Sequence, residues 1–560
     1  MKDSQVSLFP SRPVRDLVKD IEVIVQEIQD LYCLDEIPWI LGYSGGKDST
    51  SVLQLVWNAL AALPMEKRTK TVYVITTDTL VENPFVSRWV RNSIKLMKMA
   101  AREQQIPIKP YLLKPEIKQT YWVSLIGKGY PAPRQKFRWC TSRLKIDPSN
   151  RFIRNVIRSH GETILLLGTR KKESSSRASI MKKRERKRIK EKLTLNPSLP
   201  NSLLYTPIEN WRNDEVWMYL MQWENPWGNN NKDLFVMYRG ATADNECPLV
   251  VDTSTPSCGD SRFGCWVCTL VNKDKSMEAM IQNDEEKEWL QPFSDIRNEL
   301  DIENDREKRD FRRIRGNVHL FERNVDGEIS VEPIPGPYTK HWREHWLRRV
   351  LEAQVKVRNT APPDMRDITL ITPEELSEIR RIWLEDKHEF DDSLPKIYRD
   401  VTGEPFKDPR PGADSDLLGT DEWSTLEEIC TDDAMHLELM AKLLDTERQY
   451  YMKSSRSGIY GDLEKCFDTS SRSRQDAIDN AHLKRDIKEA VKDGDASKVK
   501  QLILSDEEPE REEAREIPIP DALTNPGDYT SEHLVGEETI EDATQIQTWA
   551  AAKYGLDGEP

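Results

Sequence analysis

The stretch PWILGYSGGKDSTSVLQLVWNAL, residues 38–60, decides the fold. PWILGY is a short apolar run that reads as a buried strand, and TSVLQLVWNAL has the length and spacing of a helix. Between them stands Tyr43-Ser44-Gly45-Gly46-Lys47-Asp48-Ser49-Thr50. Two glycines let the backbone come close to an anion, and a helix starting here turns its first N–H groups and the positive end of its dipole onto that anion. The run therefore predicts a phosphate cradle built from Ser44, Gly45, Gly46, Lys47, Asp48 and Ser49, with Lys47 as the loop's fixed positive side chain. It lacks the four-residue spacer of a G-x-x-x-x-G-K-S/T loop, so it is not of the γ-phosphate-cleaving kind.

The same rhythm continues outward. TVYVITT, IPIKPYLL and ETILLLG read as further buried strands, and helices are expected from about Ser49, Pro84 and Arg143. Strand and helix alternating in this way imply parallel pairing in a layered α/β sheet, whose ligands bind at the carboxyl ends of the strands. Around it the chain divides into a helical segment 1–35, a nucleotide-binding α/β domain 36–225 with a basic loop 170–201, and a cysteine-cluster region 226–350. A helical region 351–477 and an acidic, largely mobile tail 478–560 follow. Trp211, Trp217, Trp223 and Trp227 are expected in the core, and His341 and His345, with Trp342, Trp346 and Leu347 as neighbours, in packing rather than metal binding.

With 560 residues the chain exceeds a single domain, and no apolar run reaches the roughly 18 residues of a membrane helix. No membrane partner is expected. The first residues carry neither a secretory nor a transit pattern, which points to the cytoplasm. The net charge of −14 conceals an asymmetry. Residues 1–200 hold 37 Lys+Arg against 19 Asp+Glu, a balance of +18, so the remainder carries −32. A basic N-terminal third suits phosphate-rich ligands. Its densest part, MKKRERKRIKEK, follows a nucleotide motif and is the expected nucleic-acid surface. Of eight cysteines, Cys258, Cys265 and Cys268 crowd into eleven residues, as suits a zinc or iron–sulfur site, with a redox-active C-x-x-C pair as the alternative. No histidine is near, so an all-thiolate site needs a fourth cysteine.

The SGGKDS run resembles the PP-loop of the ATP pyrophosphatases. Thr77-Asp78-Thr79 with Glu82, Arg138-Trp139-Cys140-Thr141-Ser142-Arg143-Leu144-Lys145 and Gly168-Thr169-Arg170-Lys171-Lys172-Glu173-Ser174-Ser175-Ser176-Arg177 resemble, in order, three elements of its phosphoadenylylsulfate (PAPS) reductase-like branch. The resemblance implies a PP-loop ATP pyrophosphatase (adenine nucleotide alpha hydrolase-like) fold: a parallel sheet with helices on both faces, followed by a helical C-terminal region. It implies ATP with Mg2+ on the loop, cleavage between the α and β phosphates, and Asp78, Gly168 and Arg177 as further nucleotide ligands, with Lys47, Asp48 and Arg170 catalytic. It also makes Cys140 the fourth ligand of a 4Fe-4S cluster with Cys258, Cys265 and Cys268, Cys247 being the rival.

Two departures set the chain apart from the reductases. Thr141 stands where cluster-bearing reductases pair a second cysteine, and no E-C-G-x-H segment closes the chain. The single R-W-C element and SCGDSRFGCWVC resemble instead the sulfur-transfer subunits of bacterial DNA phosphorothioation (Dnd) systems. That resemblance implies a sulfurtransferase acting on DNA. Its partners would be an ATPase-like subunit, a small DNA-binding subunit, and a cysteine desulfurase as sulfur source. A PAPS-type reductase, a tRNA thiolase and a non-catalytic scaffold are the rival functions.

Overall fold

A computed structural model describes residues 14–173, 178–179, 181–182, 188–190, 192–241, 264–313, 316–325, 328–410, 420–430, 434–451, 453, 455–470 and 474–507. Five parallel strands form the centre of a seven-stranded sheet: β1 Trp39–Gly42, β2 Val72–Thr77, β3 Ile108–Leu113, β4 Thr163–Leu166 and β7 Ser202–Tyr205. With β5 Arg188–Lys190 and β6 Leu193–Leu195 the order is β3-β2-β1-β4-β7-β6-β5.

Alternation along the strands assigns the two faces. Trp39 and Leu41 of β1 and Val72 and Val74 of β2 enter one core with helices α1 Val14–Leu34, α2 Lys47–Ala61 and α3 Pro84–Glu103. Ile40 and Ile75 enter a second core with Ile153 and Val156 of the helix Asp147–His160. Helices therefore cover both faces, the arrangement that right-handed crossovers produce when the strand order runs outward to β3 and then returns to β4. Trp211, Trp217 and Trp227 are buried in the first core, with Trp223 packed against it. Trp346 and Leu347 are fully buried, but of the two histidines expected in packing His345 is half-buried and meets Glu299 at 2.6 Å, and His341 is exposed.

The expected loop 170–201 is in part sheet. β5 and β6 pair antiparallel with each other, and β6 with β7. The dense charge of the run hides a short alternation in which Leu193 is buried.

The chain separates into two compact units. The first comprises residues 1–308 and 338–423, and the second residues 309–337 and 424–560. The second holds the antiparallel hairpin of β8 Leu320–Val325 and β9 Glu328–Pro333 together with helices such as Ala434–Tyr451 and Ile459–Ser470. Among the described residues no helix is long and apolar enough to cross a membrane.

Candidate nucleotide and thiol sites

The strand order reverses at β1, whose neighbours are β2 and β4, and ligands of open α/β sheets bind at such a point. The loop after β1 and the turn after β4 meet there. Gly45 takes φ 76°, and a Cβ on it would lie 2.4 Å from Val90, so glycine is required both for the conformation and for the close approach of α3. Gly46 precedes α2 with no side chain capping it, which leaves the helix's opening amides for a ligand. Ser49 ties the loop together: its hydroxyl donates to the Gly46 carbonyl at 3.0 Å and accepts from the Ser44 amide at 3.2 Å.

Asp48 is held from two sides. Arg170 Nε donates to Oδ1 at 2.5 Å and Lys47 Nζ lies 3.5 Å from Oδ2. Arg170 is 2% exposed and also donates to the Trp211 carbonyl, so it acts behind the loop as a buried strut. Gly168 packs against the same turn: a Cβ there would stand 2.8 Å from the Asp48 carbonyl carbon and oxygen. Beneath Lys47 lies the ring of Tyr238, 5.2 Å from the ammonium, a contact that no local motif announces.

Asp78, at the end of β2, is buried. It accepts from the Leu80 amide at 3.0 Å and from Arg91 at 2.8 Å. Leu80 adopts φ 66°, a left-handed conformation that costs a non-glycine residue about 1 kcal/mol, and the bond to Asp78 helps hold it. Arg177 and the cysteines Cys247 and Cys258 lie outside the described residues.

Cys140, Cys265 and Cys268 line one cavity of about 150 Å³ with Lys145 and Tyr121. On the Cys140 side the helical turn Trp139–Thr141 carries Cys140 and the π-helical turn Ser142–Ile146 that follows carries Lys145. The opposite wall is fixed by Arg297, whose Nε donates to the Cys268 carbonyl at 3.1 Å. The Trp266 amide donates to the Val81 carbonyl at 3.0 Å, docking the Cys265 loop on the turn after β2. On that turn Thr79 donates to Glu82 at 3.1 Å and sits 3.5 Å from Cys265 Sγ, and Lys145 reaches Glu82 at 3.4 Å.

Burial, reinforced by Glu82, pushes the Cys265 thiol up to about 12, and burial raises Cys140 as well. Cys265, where ionised, and the Glu82 carboxylate raise Lys145, which stays an ammonium. Thiols so protonated must lose protons when a metal centre binds. Among the described residues no three His, Cys, Asp or Glu side chains converge closely enough for a single ion. Of the cysteines expected to ligate a cluster, Cys140, Cys265 and Cys268 line this cavity.

Residues 38–228 match the family described as phosphoadenosine phosphosulfate reductase domain. An uncharacterized protein of Methanocaldococcus jannaschii is 26% identical over 200 residues, 36% of this chain, and the match spans about a third, 35%, of that relative's length. A PAPS reductase from Candida auris, in a phosphate complex, aligns 88% of its chain with 38% of this one at 14% identity and a TM-score of 0.23. A U34-tRNA thiolase from Methanococcus maripaludis, with its 4Fe-4S cluster, aligns 71% with 39% at 16% identity and a TM-score of 0.25. Likeness at that level decides nothing about activity. The family match and the strand order together define residues 38–228 as a PAPS reductase-like PP-loop domain.

Proposed function

We propose that this chain is a DndC-type subunit: an ATP-dependent sulfurtransferase component of bacterial DNA phosphorothioate modification, acting in the cytoplasm. The observation that carries the reading is the turn 77–82. Its Asp78 stands at the nucleotide edge, while its Thr79 and Glu82 touch Cys265 at the thiol cavity. On this reading nucleotide and sulfur chemistry would lie close together in one unit, and SCGDSRFGCWVC adds the sequence resemblance.

On this reading a non-bridging oxygen of a DNA phosphodiester attacks the α-phosphorus of Mg2+-bound ATP. The bond from that phosphorus to the bridging oxygen breaks, and pyrophosphate leaves with the electron pair. Hydrosulfide, formed when a cellular thiol reduces the persulfide of a cysteine desulfurase, then attacks the DNA phosphorus. AMP leaves carrying the oxygen that DNA gave up. Lys47 and the opening amides of α2 stabilise the departing pyrophosphate, and Asp48 and Arg170 fix the loop that presents them. A 4Fe-4S cluster would be held by Cys140, Cys265 and Cys268, with Cys258 as the remaining ligand, and so ligated it would supply one-electron redox chemistry rather than an open iron site. ATPase-like and small DNA-binding Dnd subunits are the expected companions.

Mass spectrometry of nuclease-digested DNA from cells with and without the gene tests the reading, with phosphorothioate dinucleotides expected only in the former. Oxygen-18 placed in the DNA phosphate is expected in AMP. Sulfur accumulating in tRNA, or sulfite released from a sulfonucleotide with a reductant, would replace this function by a thiolase or a reductase. Pyrophosphate release is expected to fall at least 100-fold in Lys47→Ala, and absence of release by the unaltered protein would leave a scaffold.

A further inference from the structure

Tyr121 has no part in the chemistry described above, yet it forms a wall of the thiol cavity. It follows a short helical turn, Ile117–Gln119, beyond β3, and its neighbours lock the ring. Trp139 stacks on it at 5.4 Å between ring centroids, and Trp122 meets it edge-on at 5.0 Å. Trp122 is itself anchored, its ring N–H donating to the Leu370 carbonyl at 2.7 Å. Tyr121 is 1% exposed, and its hydroxyl has no hydrogen-bond partner among the described residues. A hydroxyl buried in that state costs about 1–3 kcal/mol, so the fold holds a donor that lacks its acceptor.

The surroundings narrow what that acceptor is. Burial, and then Cys140, Tyr338, Cys268 and Cys265 where ionised, hold the Tyr121 hydroxyl well above its ordinary value, so it keeps its proton and donates. All three cavity cysteines act on it although none is bonded to it, so the hydroxyl faces the group of sulfurs rather than any one of them. Tyr338, the other hydroxyl nearby, is directed to Asp305 at 3.4 Å, and the Lys145 ammonium is paired with Glu82. A centre ligated by these cysteines carries thiolate and sulfide sulfurs, which accept hydrogen bonds and have none to donate.

We infer that the Tyr121 hydroxyl donates a hydrogen bond to a sulfur of the iron–sulfur centre and thereby sets the centre's reduction potential. Hydrogen bonds to cluster sulfurs are among the means by which a protein tunes that potential. Reduction adds negative charge to the centre, so a donor favours the reduced form, and its removal lowers the potential. This deepens the proposed function and rests on its placement of a 4Fe-4S centre on Cys140, Cys265 and Cys268.

The test is a redox titration of the full chain, purified anaerobically and followed by EPR of the reduced centre, comparing Tyr121→Phe with Tyr219→Phe. Tyr219 is the matched control: it too is buried with an unpartnered hydroxyl, but it lies in the first core and not on the thiol cavity. One hydrogen bond is equivalent to about a fivefold change in an equilibrium, so at a fixed potential the ratio of reduced to oxidised centre is expected to fall about fivefold in Tyr121→Phe, a downward shift of about 40 mV. Tyr219→Phe is expected to leave the potential unchanged, and iron content is expected to be equal in all three proteins. An unchanged potential in Tyr121→Phe with its iron retained would overturn the inference and leave the hydroxyl to a buried water. Equal shifts in both variants would overturn it as well. If Tyr121→Phe loses its iron, the unaltered chain made with tyrosine carrying oxygen-17 at the phenol decides instead. Coupling of that oxygen to the reduced centre in pulsed EPR is then expected, and its absence would overturn the inference. An unaltered chain without iron would refute the cluster reading itself, and this inference with it.

Discussion

Gly168→Ala probes the phosphate cradle without touching a charge. A methyl group there meets the Asp48 carbonyl carbon and oxygen at 2.8 Å and the Ser49 amide nitrogen at 3.0 Å. All three are backbone atoms in the first turn of α2, where the Thr50 amide is bonded to the Gly46 carbonyl and Arg170 grips Asp48. No side chain can swing away, so β4's end and α2's start must part by roughly 0.6 Å to reach ordinary contact. Overpacking of this kind costs about 1–3 kcal/mol. A misplacement of about 1 Å costs on the order of 100-fold where reacting groups must be aligned, so a shift of this size implies roughly a tenfold loss in pyrophosphate release. Thermal unfolding and a pyrophosphate assay read the two effects separately. The control is Gly461→Ala, a helical position whose added methyl meets nothing within 4 Å and which is expected to gain about 0.5–1 kcal/mol. Wild-type stability and activity in Gly168→Ala would refute the reasoning, because they would mean that strand and helix do not abut as described.

Three further outcomes are expected. Tyr238→Leu should weaken ATP binding by about two- to fivefold, as loss of a cation–π interaction of roughly 0.5–1 kcal/mol under Lys47 requires, whereas Tyr238→Phe should keep most of it; equal effects of both would move the role to the hydroxyl. Burial raises Glu375 from an ordinary value near 4.5 to about 7. The unfolded chain sheds this proton as pH rises through 4.5 while the folded one keeps it to about 7, so stability should fall by about 3 kcal/mol across that window and level off above it. Denaturant titrations of Glu375→Gln should lose that component, and an unchanged pH profile would count against it. Anaerobically purified protein should contain iron that Cys265→Ser abolishes and Cys430→Ser, buried in the other unit, leaves intact; equal losses would detach the iron from the cavity.

The sheet was legible because apolar runs and glycine turns are local signals. The glycine loop between β1 and α2 was legible for the same reason: Ser44 to Ser49 adjoin in sequence, and the structure brings Gly168 and Arg170 to them. Contacts made across long separations were not. Tyr238 reaches Lys47 from a helix far along the chain, and its own surroundings read only as amphipathic. The π turn that carries Lys145 is a hydrogen-bonding choice that residue spacing does not reveal. Glu82 was visible as part of a motif, but its approach to Cys265 depends on a backbone bridge between segments 183 residues apart. In the basic run, charge masked the alternation that makes β5 and β6.

The makeup of the second unit bears on how the chain is made. Residues 309–337 leave the first unit and return to it, yet they cluster with residues beyond 423. Arg312 within this excursion is bonded to Glu438 at 2.9 Å, a partner synthesised much later. At about 5–20 residues per second, a ribosome needs several seconds or more to bridge that interval, during which the hairpin β8–β9 waits without its helices. A chain cut near residue 423 is left permanently in that state. Such a truncation, aimed at isolating the first unit, would retain an orphaned hairpin as an exposed pairing edge, and removing 309–337 together with the C-terminal part is the cleaner excision.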